Sequence, residues 1–152
     1  MKRIFLLSFL LLCGCFGLRA ANPAGDRILG VYEVIGETTH ERSKVRIYAN
    51  GDTYEARIIW LEHPNDANGK RRLDTHNPDP ALRTKPADQI VLIRGLRYDA
   101  KEGQWNGGTI YDPVSGKTYD MLAEFEQPDV LHVRGYVGRP VFGKSFSWKK
   151  LE

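Results

Sequence analysis

Between residues 28 and 150 the apolar side chains recur at every second position, in runs of about five to ten residues. A period of two sends successive side chains to opposite faces of an extended strand, whereas a helix needs a period near 3.6. No stretch in this region carries a helical stripe longer than two turns. The chain is therefore expected to be all-β. The pattern is clearest over 53–61, where Tyr54, Ala56, Ile58 and Trp60 share one face and Glu55 and Arg57 the other, with Ile59 and Leu61 making the far end apolar on both sides. Asn50-Gly51, just before it, is a hairpin signal, because both residues tolerate the positive φ of a tight turn.

Eight strands are predicted, over 28–35, 44–48, 53–61, 90–98, 104–111, 117–126, 130–137 and 145–150. Most links between them are short and built from turn formers: 99–103, Asp112-Pro113-Val114-Ser115-Gly116, Gln127-Pro128-Asp129 and 138–144. Short links make successive strands antiparallel neighbours, and eight meandering strands close into a single up-and-down barrel of the size that holds one small ligand. A β-sandwich fits less economically, since strands would have to cross between sheets.

One segment breaks the pattern. Residues 62–89 hold four of the eight prolines (Pro64, Pro78, Pro80 and Pro86) and no strand signature. Loops beyond about 12 to 15 residues are uncommon in a compact domain, so an ordered excursion is expected here. Asp79 suits a helix N-cap and Pro80 a first helical position, which predicts one helical turn over 79–84. Asp74 and Asn77 are placed to bond nearby backbone amides and order the loop, with Leu82 projecting onto the barrel and Arg83 reaching a carboxylate or carbonyl.

The N-terminus sets the compartment. Lys2 and Arg3 precede an apolar run from Ile4 that ends at Leu18-Arg19-Ala20, the pattern of a secretory signal over 1–20 and too short and glycine-broken for a membrane span. Cleavage after Ala20 leaves one domain over 21–152. Alternatively, Leu12-Cys13-Gly14-Cys15 resembles a lipobox, with a 1–14 signal and a lipid anchor on Cys15. The basic balance belongs to this segment: without Lys2, Arg3 and Arg19 the 22 basic residues fall to 19, equal to the 19 acids, and the formal charge falls from +3 to zero. That argues against a nucleic-acid partner, and Lys70-Arg71-Arg72 reads as a solvated loop. Both cysteines lie in the signal region, so a chain cleaved after Ala20 holds itself together by packing alone.

Several motifs in order resemble one bacterial exported family, that of domain of unknown function 2147. They are Gly30-Val31-Tyr32, Ile59-Trp60-Leu61, Leu73-Asp74, the run from Asn77 to Arg83, Gly107-Gly108-Thr109-Ile110-Tyr111-Asp112-Pro113, Gly116-Lys117-Thr118-Tyr119, Val133-Arg134-Gly135-Tyr136-Val137-Gly138 and Trp148. Tyr32 stands where such proteins usually carry the Trp of a Gly-x-Trp corner. The resemblance implies an exported, lipocalin-like barrel and no established activity.

Trp60, Trp105, Trp148, Tyr54, Tyr111, Tyr119 and Phe146 fall on one face of their strands, where they either line a ligand cavity or fill it. The expected pocket is Trp60, Leu82, Trp105, Tyr111 and Trp148, with Arg83 at its rim and Arg94 and Thr109 as polar groups inside. His63, Asp66, Asp74, His76 and Asp79 have a metal-like composition without a ligand spacing, and no metal or cofactor is expected. Asp112 between Tyr111 and Tyr119 reads as turn chemistry before it reads as a catalytic acid. No nucleophile elbow, phosphate loop or His-Glu-x-x-His occurs. Arg134-Gly135-Tyr136 reads as cross-strand cation and ring packing before it reads as an outer glycan or peptide site. The expectation is a non-enzymatic binder of a small apolar or amphipathic ligand at the cell envelope. Its rivals are an envelope interaction protein with a filled barrel that uses the 62–89 loop, and a hydrolase.

Overall fold

A computed structural model describes residues 21–152, so residues 1–20, read above as a signal, and Cys15 among them, lie outside the described residues. Eight antiparallel strands follow one another around a closed barrel: β1 Gly30–Ile35, β2 Arg42–Asn50, β3 Thr53–Leu61, β4 Val91–Asp99, β5 Gln104–Asp112, β6 Lys117–Gln127, β7 Val130–Tyr136 and β8 Gly143–Lys150. Each strand pairs with its neighbours in sequence, and β1 pairs with β8 to close the ring. No helix among the described residues is long and apolar enough to cross a membrane.

The alternation read from the sequence orders the interior. Tyr32, Val45, Ile47, Tyr54, Ala56, Ile93, Met121, Ala123, Leu131, Val133 and Trp148 are all buried. Many of them pair with one another across the sheet, as in Tyr32↔Val45, Ile47↔Ala56, Ala56↔Ile93, Ala123↔Val133 and Leu131↔Trp148. Directly paired residues point to the same face, so the inner lining is a continuous apolar layer.

One end of this barrel is plugged. A single helical turn, α1 (Pro23–Asp26), is started by Asn22, whose Oδ1 accepts from Gly25 N at 3.1 Å. Aromatic polar tips fasten it from inside: Trp105 Nε1 donates to Gly25 O at 3.0 Å, and Tyr54 Oη donates to Asp26 at 2.9 Å. Trp105 is sandwiched by Tyr98, with centroids 5.0 Å apart, and by the edge of Phe125, at 5.6 Å. Tyr32, at the Gly-x-Trp position, donates to Ile28 O at 2.8 Å. Lys150 reaches over its ring to donate to Arg27 O at 2.7 Å. Burial, with the Arg27 charge nearby, pulls this lysine below its ordinary pKa.

The 62–89 segment is ordered. Two isolated bridges, Asn65↔Arg71 and Leu73↔Pro86, fold it back on itself, with one 3₁₀ turn, Pro80–Leu82, inside the second bridge and another, Ala87–Gln89, after it. Asp79 caps the first, its side chain accepting from Ala81 N at 2.9 Å. The loop is also locked to the β5–β6 turn. Gly116, at φ +69°, brings its backbone against His76 O so closely that a Cβ would overlap that oxygen.

Candidate functional site

Above the plug the barrel is hollow. Its open half contains a cavity of about 800 Å³, within the roughly 300–1,000 Å³ typical of small-molecule sites. Trp148 lies at its inner end, with its ring 6.3 Å from Tyr32, and Ile58, Leu92, Ile110, Tyr119 and Phe146 form much of the wall. Ser43 and the rim residues supply the polar groups, and the Ser43 hydroxyl is donated to Val34 O at 3.3 Å. Two features keep this half empty. Gly135 presents no side chain where β7 pairs with Met121 of β6, and a Cβ there would already touch Ile110. The β1–β8 seam, among the described residues, pairs at Tyr32↔Lys150 and Glu33↔Lys149, near the plug, and not beside the cavity.

Three loops form the mouth, and their apolar side chains face outward. Ile35, Val114, Val137 and Phe142 border the cavity and are more than half exposed. Across the unpaired part of the seam, Lys144 meets Glu37 at 3.4 Å. Asp112 is taken up by its own turn, accepting from Val114 N at 3.0 Å and Ser115 Oγ at 2.6 Å.

A second hollow, about 180 Å³, lies between the 62–89 loop and the barrel wall. Its anchor is Asp74, a buried carboxylate whose two oxygens accept from Asn77 Nδ2 at 2.7 Å and Tyr111 Oη at 2.7 Å. Burial and then the bond to Asp74 push the Tyr111 phenol above its ordinary pKa, which keeps it a neutral donor. Asn77 works twice more, since its Oδ1 accepts from Asp79 N at 2.9 Å and its carbonyl from Arg83 Nε at 2.7 Å. Tyr111 and Leu92 border both hollows, so they form the partition between them.

Of the residues expected to share one pocket, Trp148 and Tyr111 border the main cavity. Trp60 does not. Lys44 pairs with Trp60 but Val45 pairs with Ile58, so Ile59 is an extra residue in β3. That bulge reverses the alternation: Leu61 packs on the core, while Trp60 turns outward, 40 % exposed, beneath Lys44 Nζ at 5.5 Å. Trp105 belongs to the plug. Leu82 borders the outer hollow, as do Arg94 and Thr109, so none of the three is inside the barrel. Arg83 is not a lining residue and holds the loop through Asn77.

The proposed metal-like set is dispersed among separate tasks. Asp66 accepts from Asn68 N and Lys70 N, His63 lies 3.5 Å from Glu41, and Asp74 and Asp79 serve the loop. Among the described residues no group of three or more His, Cys, Asp or Glu is arranged to hold a metal ion. Arg134 does not pack on a ring; it donates to Pro140 O, Val141 O and Ser145 Oγ. Sequence reading missed the mouth residues Ile35, Val137 and Phe142, and α1. The adjacent pair Val141-Phe142 between Pro140 and Gly143 was the available signal.

An up-and-down barrel of eight strands with one plugged end and one open apolar hollow is a lipocalin-like barrel. A similar fold occurs in the solved structure of protein HP1028 from the human pathogen Helicobacter pylori, described as belonging to the lipocalin family. The two chains are 24% identical, with a TM-score of 0.68, over 82% of this chain and 83% of that one, a likeness of fold. The chain itself belongs to DUF2147, a family of uncharacterized proteins conserved in bacteria, which it matches over residues 30–150. No curated protein matches it.

Proposed function

We propose that this protein is exported to the cell envelope and binds, without catalysis, one small apolar or amphipathic molecule inside the barrel. The observation that carries the reading is the cavity of about 800 Å³ in the unplugged half of the barrel, walled mainly by apolar side chains and open at the mouth. Removing apolar ligand surface from water contributes roughly 25 cal/mol per Å², so an enclosed apolar chain or ring gains affinity without needing a charged anchor. The polar groups near the mouth, Ser43, Tyr119 and the Lys144–Glu37 pair, suit a ligand with one polar end.

Native mass spectrometry of the full-length gene product purified from envelope extract tests this. The reading expects a reproducible non-covalent adduct of small-lipid or metabolite size that organic solvent removes. A bare barrel in every preparation, with a protein partner retained instead, supports the rival envelope-interaction reading. That rival draws on Leu73 and Leu82, which are held partly exposed on the fixed loop. The intact mass also decides between cleavage after Ala20 and lipidation at Cys15.

A further inference from the structure

The β7–β8 hairpin tip carries a surface that ligand binding alone does not require. Val137, Val141 and Phe142 are 67, 72 and 71% exposed, and Ile35 and Val114 on neighbouring mouth loops are 55 and 75% exposed. Scattered exposed apolar residues need no explanation, but five around one opening, four of them bordering a single cavity, form a patch. The tip is also built to keep them out. Val137 N bonds Phe142 O at 3.3 Å and Phe142 N bonds Arg139 O at 2.9 Å. The Arg134 guanidinium clamps Pro140 O and Val141 O from below and Ser145 Oγ at 2.7 Å. Val141 and Phe142 therefore project from an ordered turn rather than collapsing over the empty hollow beneath.

Within the tip itself the charges have one sign. Residues 137–144 read V-G-R-P-V-F-G-K, with Arg139 and Lys144 and no acid. Glu37 meets Lys144 across the seam and Asp112 is held by neutral donors in its own turn, so Arg139 at the apex is the cation of the tip with no ion-pair partner among the described residues. Apolar side chains flanked by basic ones, presented on a rigid tip, match an anionic bilayer: the apolar groups enter the interface and the cations meet phosphate headgroups.

We propose that the mouth docks on an anionic phospholipid surface through the 137–144 hairpin, with Val141 and Phe142 inserted and Arg139 and Lys144 at headgroup level. Docked this way, the hollow opens onto the membrane instead of onto water. This goes beyond the ligand reading and does not depend on it, since the docking surface exists whether or not the cavity is occupied.

The test uses the full chain with vesicles of phosphatidylcholine alone or with a third phosphatidylglycerol. Wild type is expected to co-sediment with the anionic vesicles and to be released by salt, while Val141→Ser/Phe142→Ser lowers the partition constant about tenfold or more. Phe142→Trp localises the contact, because brominated lipid should quench its fluorescence beyond any quenching of wild type, even if an N-terminal lipid also holds the chain. Val141→Ser alone, at a position that does not border the cavity, should also weaken vesicle binding while leaving soluble fluorescent fatty-acid binding, measured without vesicles, unchanged, which separates failure of docking from failure of the ligand reading. Absence of bromolipid quenching at Phe142→Trp overturns the proposal. So does equal vesicle binding by the double serine variant, or a dimer in sedimentation equilibrium that the double serine variant abolishes while vesicles bind neither form.

Discussion

The two ends of this barrel are made from the same strands and the same kinds of side chain, yet one is solid and the other hollow. At the plugged end the large aromatics have ring neighbours or hydrogen-bond partners: Trp105 has Tyr98, Phe125 and Gly25 O, Tyr54 has Asp26, and Tyr32 has Lys150 and Ile28 O. At the open end Phe146 and Tyr119 face space, Gly135 supplies no side chain, and β1 and β8 part. Interior position in a strand therefore does not decide whether a residue joins a packed core or lines a hollow. The difference comes from what stands opposite, a capping helical turn on one side and nothing on the other.

The largest effect that sharpens this contrast is expected from Trp105→Ala. Loss of a fully buried ring and its bond to Gly25 should cost about 3–5 kcal/mol in urea unfolding. A cost under about 1 kcal/mol would erase the distinction between the ends. Phe146→Ala, in the hollow, removes a ring only partly packed, and should cost about 1–2 kcal/mol while changing which probe lengths bind. A loss as large as that of Trp105→Ala would mean the open half is packed like the plug.

Tyr111→Phe leaves the buried Asp74 with one donor fewer, and about 1–2 kcal/mol is expected, together with faster amide exchange over 73–86. The phenols of Tyr32 and Tyr111 are both raised by burial, so each favours the folded state while neutral. That stability is fully present below about pH 10, where an unfolded tyrosine is still protonated, and is lost as pH rises above it. Tyr32→Phe and Tyr111→Phe should each flatten the alkaline decline in thermal stability; a slope unchanged in both would refute the assignment. The smallest effect belongs to Trp60→Ala, which should shift stability by less than about 0.5 kcal/mol and leave probe binding intact, since the ring lies outside.

Period two and the turn residues made the eight strands, their meander and the Asn50-Gly51 hairpin legible, because each depends on local chemistry. The loop's organisation was also local: Asp79 before Pro80 is a cap, and Asn77 bonds its neighbours. Trp60 was misread because one inserted residue, Ile59, reverses every facing beyond it, and with Ile59, Trp60 and Leu61 all apolar the pattern does not show which of them turns inward. Trp105 was assigned to the pocket because alternation gives a residue's face but not its height along the barrel. Leu82, Arg94 and Thr109 depend on where a 28-residue excursion lands, which is set by long-range contacts such as Tyr111–Asp74 and Gly116–His76.

The central claim is that the open half is a binding cavity and not merely an unfilled core. The most direct measurement is titration of a dansylated undecanoic acid into the wild type and into Ile110→Arg, which fills the wall of the hollow with a charged side chain. The account predicts saturable one-to-one binding with energy transfer from Trp148, lost in Ile110→Arg while its circular dichroism stays that of a β-barrel. No saturable binding by the wild type, or equal binding by a folded Ile110→Arg, would contradict it.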